Sequence, residues 1–489
     1  MDGNTAIGPV EVKLRIGDQL LTEGSGGVYQ HVNPANGKVQ AQVPMAGTKE
    51  VDAAVEAAAD AFEVWRKWTG AQRRDALLRL ASLVEARAAE FTIRGAMDTG
   101  TPVAMGGGIS TFLSWTRYYA GWADKLDGIV TSSFERDGEF SYAVGEPFGV
   151  IGVIVTWNGP MISIGMKVSP ALAAGNTVVI KPSEMTPFAI DLFGQLVREA
   201  GIPDGVVNII TGGVDAGEAL VRHPKVEKIT FTGGPIAARK IMALCAEQLK
   251  PSLHELGGKS ANLVFPDANL EAAVGFSAMF PLRVLSGQGC ALPTRMLVHE
   301  SIYPQAKAIA VAVAQSLKLG DPMDPQTAMG PVVNEAAAVR ILGMVDKARA
   351  DGAGQILTGG LRAGGALKDG FYVEPTVIAD VDNKSEIAQT EVFGPVLSMI
   401  PFRTEDEAVA LANDTAYGLA AFVQTKDVQR AHRMAERLKA GAVYVNGGTP
   451  ISPATPFGGI GLSGFGREGG RQGIEEFLRS KTVQFGVLS

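Results

Sequence analysis

Along the chain, Val51, Ala54, Val55, Ala58, Phe62 and Trp65 recur at the spacing of one helix face, and Leu77, Leu80 and Leu83 continue it in the next segment. Two long amphipathic helices are therefore predicted after an irregular start. From Val150 the texture changes. Short apolar runs rich in Val and Ile, at 150–155, 177–180, 206–210 and 228–231, alternate with helical stretches closed by Gly or Pro. Runs that short and that uniformly apolar suit strands buried on both faces, so the pattern predicts a parallel sheet covered by helices. A second alternating series runs from near Ala261 to about Asn446, with helices expected around 302–317, 334–350, 405–413 and 428–438. It reads as a second α/β lobe. Phe134 to Glu146, turning at Asp137-Gly138, and the strand-like 481–488 look like edge strands of the kind that subunit pairing covers.

Composition narrows the classes. A chain of 489 residues exceeds what one hydrophobic core serves, so at least two packed lobes are expected. A hydrophobic share of 46% with 19% charged residues excludes disorder of the whole chain. The net charge of -7 argues against nucleic acid, which needs clustered Lys and Arg. No run approaches the roughly 20 apolar residues of a membrane helix, and residues 1–10 lack a basic stretch followed by an apolar one, so neither insertion nor export is expected. The only cysteines, Cys245 and Cys290, rule out a disulfide framework and fit a reducing compartment, with cytoplasm as the expected location. Histidines 31, 223, 254, 299 and 432 are scattered with no i, i+4 pair, and no metal site is predicted.

Candidate chemistry stands in several short segments. Gly287-Gln288-Gly289-Cys290 sets a cysteine among glycines that permit close backbone approach, although a free cysteine is more often a buried core residue. Cys245, on a helical stretch with Ile241 and Leu244, fits that plainer role. Glu255, in His254-Glu255-Leu256-Gly257-Gly258-Lys259, falls where one lobe gives way to the other, a usual place for a cleft; a surface carboxylate is the alternative, as a surface or structural cation is for Lys259. Thr156-Trp157-Asn158 follows an apolar run directly, at the carboxyl end of a predicted parallel strand, where open α/β sheets bind ligands. Asn158 there could donate to a developing oxyanion or could merely form an Asx turn. Lys181-Pro182-Ser183-Glu184 also follows a strand, and its Lys and Glu could address ribose hydroxyls as donor and acceptor. Phe231-Thr232-Gly233-Gly234 precedes a helix whose free N–H groups could face a pyrophosphate. No G-x-G-x-x-G fingerprint accompanies them, since Gly212, Gly213 and Gly217 lack that spacing.

Taken in order, Trp157-Asn158, Lys181 to Glu184, Phe231 to Gly233, Glu255 to Lys259, Gly287 to Cys290, Glu391-Val392-Phe393-Gly394-Pro395, and Pro456-Phe457-Gly458-Gly459 with Ser463-Gly464 are specific. Over nearly its whole length the chain resembles the aldehyde dehydrogenase superfamily, in its NAD(P)-dependent, hydrolytic, non-acylating form. The resemblance implies an α/β fold of that family: a Rossmann-like parallel-sheet cofactor domain (1–124 and 148–257), an α/β catalytic domain (258–470) and a small β oligomerisation element (125–147 and 471–489).

It also implies roles. Cys290 matches the family's nucleophile, Glu255 its general base and Asn158 its oxyanion donor. A free thiol titrates at about 8.5, so the site is expected to favour thiolate, which adds to the aldehyde as a thiohemiacetal. Hydride transfer to the nicotinamide leaves a thioester, which Glu255 hydrolyses through water. Thr156, Trp157, Lys181, Ser183, Glu184, Gly213, Gly217, Phe231, Thr232, Gly233, Gly234, Leu256, Glu391 and Phe393 are the implied cofactor contacts. A Glu at 184 favours NAD by accepting from the 2′-hydroxyl and repelling a 2′-phosphate, though some relatives accept NADP by swinging this side chain away.

The chain departs from the family pattern at Thr156, often Pro; at Gly159, often large; at Gly234, often Ser; and at Gly461, often Lys. None removes a catalytic group. Gly159, Met161, Ser163, Met166, Val284, Leu285, Gly289, Ala291 and Leu292 are expected to line the substrate tunnel, and their small or flexible side chains suggest a bulky apolar or aromatic aldehyde. The partners expected are that small-molecule aldehyde and further copies of the chain, as a homodimer or homotetramer, with no nucleic acid and no membrane. Two alternatives remain: a CoA-acylating semialdehyde dehydrogenase, against which Glu255 argues, and a catalytically silent binding protein derived from the family.

Overall fold

The computed structural model describes residues 8, 10–131, 137–447 and 451–486 as a mixed α/β protein built on two large sheets. The first has eight strands in the order Gly464–Phe465, Ser252–Glu255, Val226–Thr232, Val150–Ile154, Thr177–Lys181, Val207–Ile209, Leu14–Ile16 and Gln19–Leu21. Its central five strands are parallel and its flanks antiparallel. Every residue of Val150–Ile154 and of Thr177–Lys181 is buried, which is why these segments read as unbroken apolar runs. The predicted helices run over Thr48–Trp65 and Gly70–Ala86, with Trp65 and Leu77 fully buried against the sheet.

The second sheet has seven strands in the order Gln355–Thr358, Thr376–Ala379, Val396–Phe402, Arg295–His299, Ala261–Val264, Ala420–Gln424 and Ala442–Val445, all parallel except the first. The four helices expected in this lobe span Tyr303–Ser316, Glu335–Ala350, Glu405–Asn413 and Val428–Arg437. A further helix, Leu270–Arg283, was not expected: LEAAVGFSAMFPLR is apolar on most sides and shows no single stripe.

The expected irregular start is also corrected. It holds two edge strands of the first sheet and a hairpin, Val28–Val32 with Val39–Pro44. Strands of three residues are too short to show alternation. A third sheet joins Leu478–Phe485, Phe140–Pro147 and Ile129–Thr131. The expected turn at Asp137-Gly138 is described; residues 132–136 on its near side and 487–488 of the expected last strand lie outside the described residues. This sheet leaves Ile129, Val130, Phe140 and Phe485 exposed. Among the described residues no helix is long and apolar enough to cross a membrane.

Candidate active site

In the first sheet the chain runs outward through 150, 177 and 207, then returns to lay Val226–Thr232 on the other side of Val150–Ile154. Such a reversal opens a crevice at the carboxyl ends of those two strands. Thr156-Trp157-Asn158 and Thr232-Gly233-Gly234 both emerge there. The second sheet meets this crevice with the opposite edge: Gly258, Cys290 and Glu391 all precede strands, which begin at Ala261, Arg295 and Val396.

Cys290 sits at the end of a backbone held by its own irregularities. Leu285 and Ser286 both have φ +52° and Gly287 φ +76°, and a Cβ at 287 would collide with the Gly394 carbonyl. Gln288 pins the loop: its Oε1 accepts from the Val333 N–H at 3.0 Å and its carbonyl accepts from Asn158 Nδ2 at 2.7 Å. Asn158 is thereby fixed beside the cysteine loop, and among the described residues one of its two amide hydrogens has no partner. The glycines of the 255–259 segment serve the same approach. A Cβ at 258 would strike the Cys290 carbonyl oxygen, and one at 257 would strike the Glu391 carboxylate. Ser463 Oγ donates to the Gly257 carbonyl at 2.6 Å and accepts from the Gly418 N–H at 3.0 Å, locking that turn.

Glu255 is a buried residue at the end of Ser252–Glu255, 3% exposed, which removes the surface alternative. Neither carboxylate oxygen has a hydrogen-bond partner among the described residues. Burial, and then the charge of Glu468, push its carboxyl well above the ordinary range, while Lys167 and Arg467 pull it back. Lys167 and Glu468 were missed from the sequence. They form a buried ion pair at 2.6 Å, with Lys167 Nζ also donating to Thr230 Oγ1 at 3.1 Å. The Cys290 thiol is pushed up to about 12 by burial and by the carboxylates of Glu255 and Glu391. The expectation of a thiolate-favouring site meets the opposite tendency in this structure: the half-buried sulfur lies near two carboxyl groups that favour the protonated thiol.

Glu391 Oε1 accepts from the Gly258 N–H at 2.9 Å, and burial raises its carboxyl to about 7. Lys259 is only 2% exposed, so its surface reading is also corrected; burial and then Arg295 lower its ammonium to about 7. Phe393 has φ +50° and meets Trp157 edge-on, with ring centroids 5.4 Å apart. The two rings thus join the lobes across the crevice.

On the other side, Lys181 ends its strand with Nζ donating to the carbonyls of Gly212 at 2.5 Å and Pro182 at 3.1 Å, one hydrogen remaining. Ser183 is buried and accepts from the Met185 N–H at 3.3 Å, and Glu184 is half-buried. Gly213 and Gly234 are the residues before two adjacent helices, Val214–Arg222 and Pro235–Glu247. Gly217 lies against the Lys181 side chain, Leu256 N donates to Ser463 O at 3.2 Å, and a Cβ at Gly233 would strike the Phe231 ring. A Cβ at Gly234 would meet open space. Val214 and Ile236, 71% and 73% exposed in the first turns of those helices, were not singled out; only their exposure marks them. Two helix N-termini, a glycine turn without side chains and an exposed apolar pair fit a dinucleotide: N–H groups for pyrophosphate, carbonyl and carboxylate acceptors for ribose, Val and Ile for a flat base.

The expected tunnel residues divide. Gly159 and Gly289 are half-buried, as are Val284 and Leu285, while Met161, Ser163, Met166, Ala291 and Leu292 are buried. Ile162, also missed, turns over Gly159, where a Cβ would lie 3.3 Å from its Cδ1. An aromatic group, Phe276, Phe280, Phe422 and Tyr444, runs to the cysteine, with neighbouring centroids 5.2 to 6.3 Å apart. Burial raises Tyr444 to about 12 with help from Cys290, and both pack against the same core.

Away from this site, Asp52, Glu56 and His223 bring ligand-type atoms within 4.8 Å of one another. His223 Nδ1 accepts from the Lys225 N–H at 3.2 Å, so its proton sits on Nε2 facing Asp52, and Glu56 is paired with Lys225. The cluster is an ion-pair group.

The Aldehyde dehydrogenase family profile matches residues 21–483. An aldehyde dehydrogenase of Enchytraeus buchholzi is 40% identical over 479 residues, covering 96% of this chain and 95% of that protein. The structure of PnpE from Pseudomonas sp. WBC-3, also solved with nicotinamide adenine dinucleotide, superposes with a TM-score of 0.94 at 39% identity, covering 97% of both chains. The NAD+ complex of an aldehyde dehydrogenase from Bacillus cereus does so with a TM-score of 0.94 at 36% identity, covering 98% of this chain and 97% of the other. The fold and its catalytic crevice are those of an NAD(P)-dependent oxidoreductase that acts on aldehydes. This chain belongs to the aldehyde dehydrogenase family.

Proposed function

We propose that the chain oxidises an aldehyde to its carboxylic acid with NAD, through a thioester on Cys290. The observation that carries this reading is the convergence of Cys290, Glu255 and Asn158 in one crevice, with Glu255 close enough to raise the proton affinity of the Cys290 thiol. With two carboxyl groups nearby favouring the protonated thiol, its proton is removed as the C–S bond forms, and the buried carboxylate of Glu255 is the base at hand. The free hydrogen on Asn158 Nδ2 and the Cys290 N–H hold the carbonyl oxygen as it gains charge. Bound NAD supplies the two-electron acceptor for the hydrogen that leaves this carbon, which remains on sulfur as a thioester. Glu255 releases the thiol's proton to solvent and then takes one from water, whose oxygen attacks the thioester; the C–S bond breaks, the acid leaves, and the Cys290 thiolate receives the proton held by Glu255.

For the cofactor, Lys181, Ser183 and Glu184 face the adenosine ribose, Val214 and Ile236 the base, Thr232 to Gly234 the pyrophosphate, and Glu391, Phe393, Trp157, Thr156 and Leu256 the nicotinamide half. The lobes divide as 1–124 with 148–257 and 258–470, although Gly464–Phe465 completes the first sheet. The exposed apolar strands of 125–147 and 471–489 pair with another copy, as a dimer or tetramer in the cytoplasm. Gly159 and the aromatic path to Tyr444 favour a bulky apolar or aromatic aldehyde. The test is NADH formation with a panel of aldehydes, with and without CoA. Acid formation without CoA supports the reading, a CoA requirement or no turnover refutes it, and equal efficiency on acetaldehyde and benzaldehyde removes the substrate class.

A further inference from the structure

His31 lies on the hairpin strand Val28–Val32, outside the reaction crevice, yet is only 1% exposed. Its neighbours settle where its proton resides. Gln40 Nε2 donates to the Met97 carbonyl at 2.8 Å while its Oε1 accepts from Asn33 Nδ2 at 3.2 Å, which orients the amide to donate to His31 Nδ1 at 3.1 Å. With Nδ1 an acceptor, the proton sits on Nε2, which donates to the Met185 carbonyl at 2.9 Å and lies 3.5 Å from Asp98 Oδ1. Asp98 in turn accepts from the Phe188 and Ala189 N–H groups, each at 3.1 Å, at the start of helix Phe188–Glu199. Both ends of the 185–189 segment are therefore fastened to His31 and Asp98.

Glu184 stands immediately before that segment. Among the described residues it makes no hydrogen bond or ion pair, so the backbone that carries it decides where its carboxylate points. Resting on the reading of Glu184 as the ribose contact, we propose that His31 is a positioning residue that holds the 183–185 backbone so that Glu184 selects a ribose 2′-hydroxyl over a 2′-phosphate.

The test measures NAD and NADP dissociation constants of the full chain by tryptophan fluorescence, together with Tm and kcat at saturating NAD. His31→Phe keeps a ring against Phe188, whose centroid lies 4.6 Å from that of His31, but cannot donate. It weakens NAD about tenfold and changes NADP by less than about twofold, so the preference for NAD collapses. His31→Gln, which can donate to Met185 and accept from Gln40, restores most of the preference. An unchanged preference in a folded His31→Phe chain, or an equal loss for both cofactors, overturns the proposal. If His31→Phe does not fold, Gln40→Met must lower the preference, and its failure to do so overturns the proposal equally. A wild-type chain without any preference for NAD would instead refute the ribose reading of Glu184.

Discussion

The two sheets share an architecture and contribute to one crevice from opposite edges. The first offers the carboxyl ends of its strands, where loops run into helix N-termini and present N–H groups, a lysine and glycines open to solvent. The second offers the amino ends of its strands, where Cys290, Glu391 and Lys259 arrive on tight turns with left-handed Leu285, Ser286 and Phe393. Groups on the first edge are suited to holding a large anionic ligand. Those on the second are desolvated and titrate far from their ordinary values, which is what proton and nucleophile chemistry requires. Groups suited to a dinucleotide thus lie chiefly on the first edge, whereas the candidate reaction centre draws on both, with Glu255 and Asn158 from the first and Cys290 from the second.

Separating the two contributions tests this division most severely. Cys290→Ala should lower turnover by about four orders of magnitude or more while NAD affinity stays within about twofold, measured by NADH formation and by fluorescence titration. Cys245→Ala, in a buried helix position away from the crevice, should leave both nearly unchanged. Loss of NAD binding with Cys290→Ala would break the comparison.

Glycines on the two edges should respond differently. Gly258→Ala forces the Cys290 carbonyl away and should cost about a hundredfold in kcat, since a displacement of about 1 Å at reacting atoms has that effect. Gly234→Ser meets open space and should leave kcat within about twofold, with any change confined to NAD affinity.

The smallest effect expected is in the pH profile. In the proposed reaction Glu255 serves as base only when ionised, so activity should rise with pH through its raised pKa. Removing the Glu468 charge also leaves Lys167 uncompensated nearby, and both changes favour the Glu255 carboxylate. Glu468→Gln should therefore move the acidic limb down by about one pH unit, and Lys167→Met should move it up. Hydrolysis of a p-nitrophenyl ester reads this without cofactor. Breaking a buried pair costs about 3–5 kcal/mol, so profiles must be taken well below each variant's Tm.

Much of the first lobe was legible because buried parallel strands leave apolar runs and the residues after them fall at a known edge of the sheet. Thr156 to Asn158 and Lys181 to Glu184 could be placed that way. The second edge follows no such rule, and Cys290 and Glu391 were recognisable only through their motifs. Lys167 and Glu468 could not be read, because nothing in a sequence shows two charges 301 residues apart meeting in the dark of a core. Leu270–Arg283 and the short strands near residue 14 were hidden by the absence of a face and of length. The burial of Glu255 and the carboxyl groups beside Cys290 escaped the sequence for one reason: what surrounds a side chain is a tertiary property.

Ser463 reaches Gly257 across 206 residues, and Gly464 pairs with Glu255 to close the edge of the first sheet. During synthesis the ribosome must therefore deliver nearly the whole chain before Glu255, the proposed general base, has its final setting. A nascent or prematurely terminated polypeptide can assemble much of the first sheet, but it carries no working pocket. Release from the ribosome and onset of activity are in this way bound to one late pair of contacts.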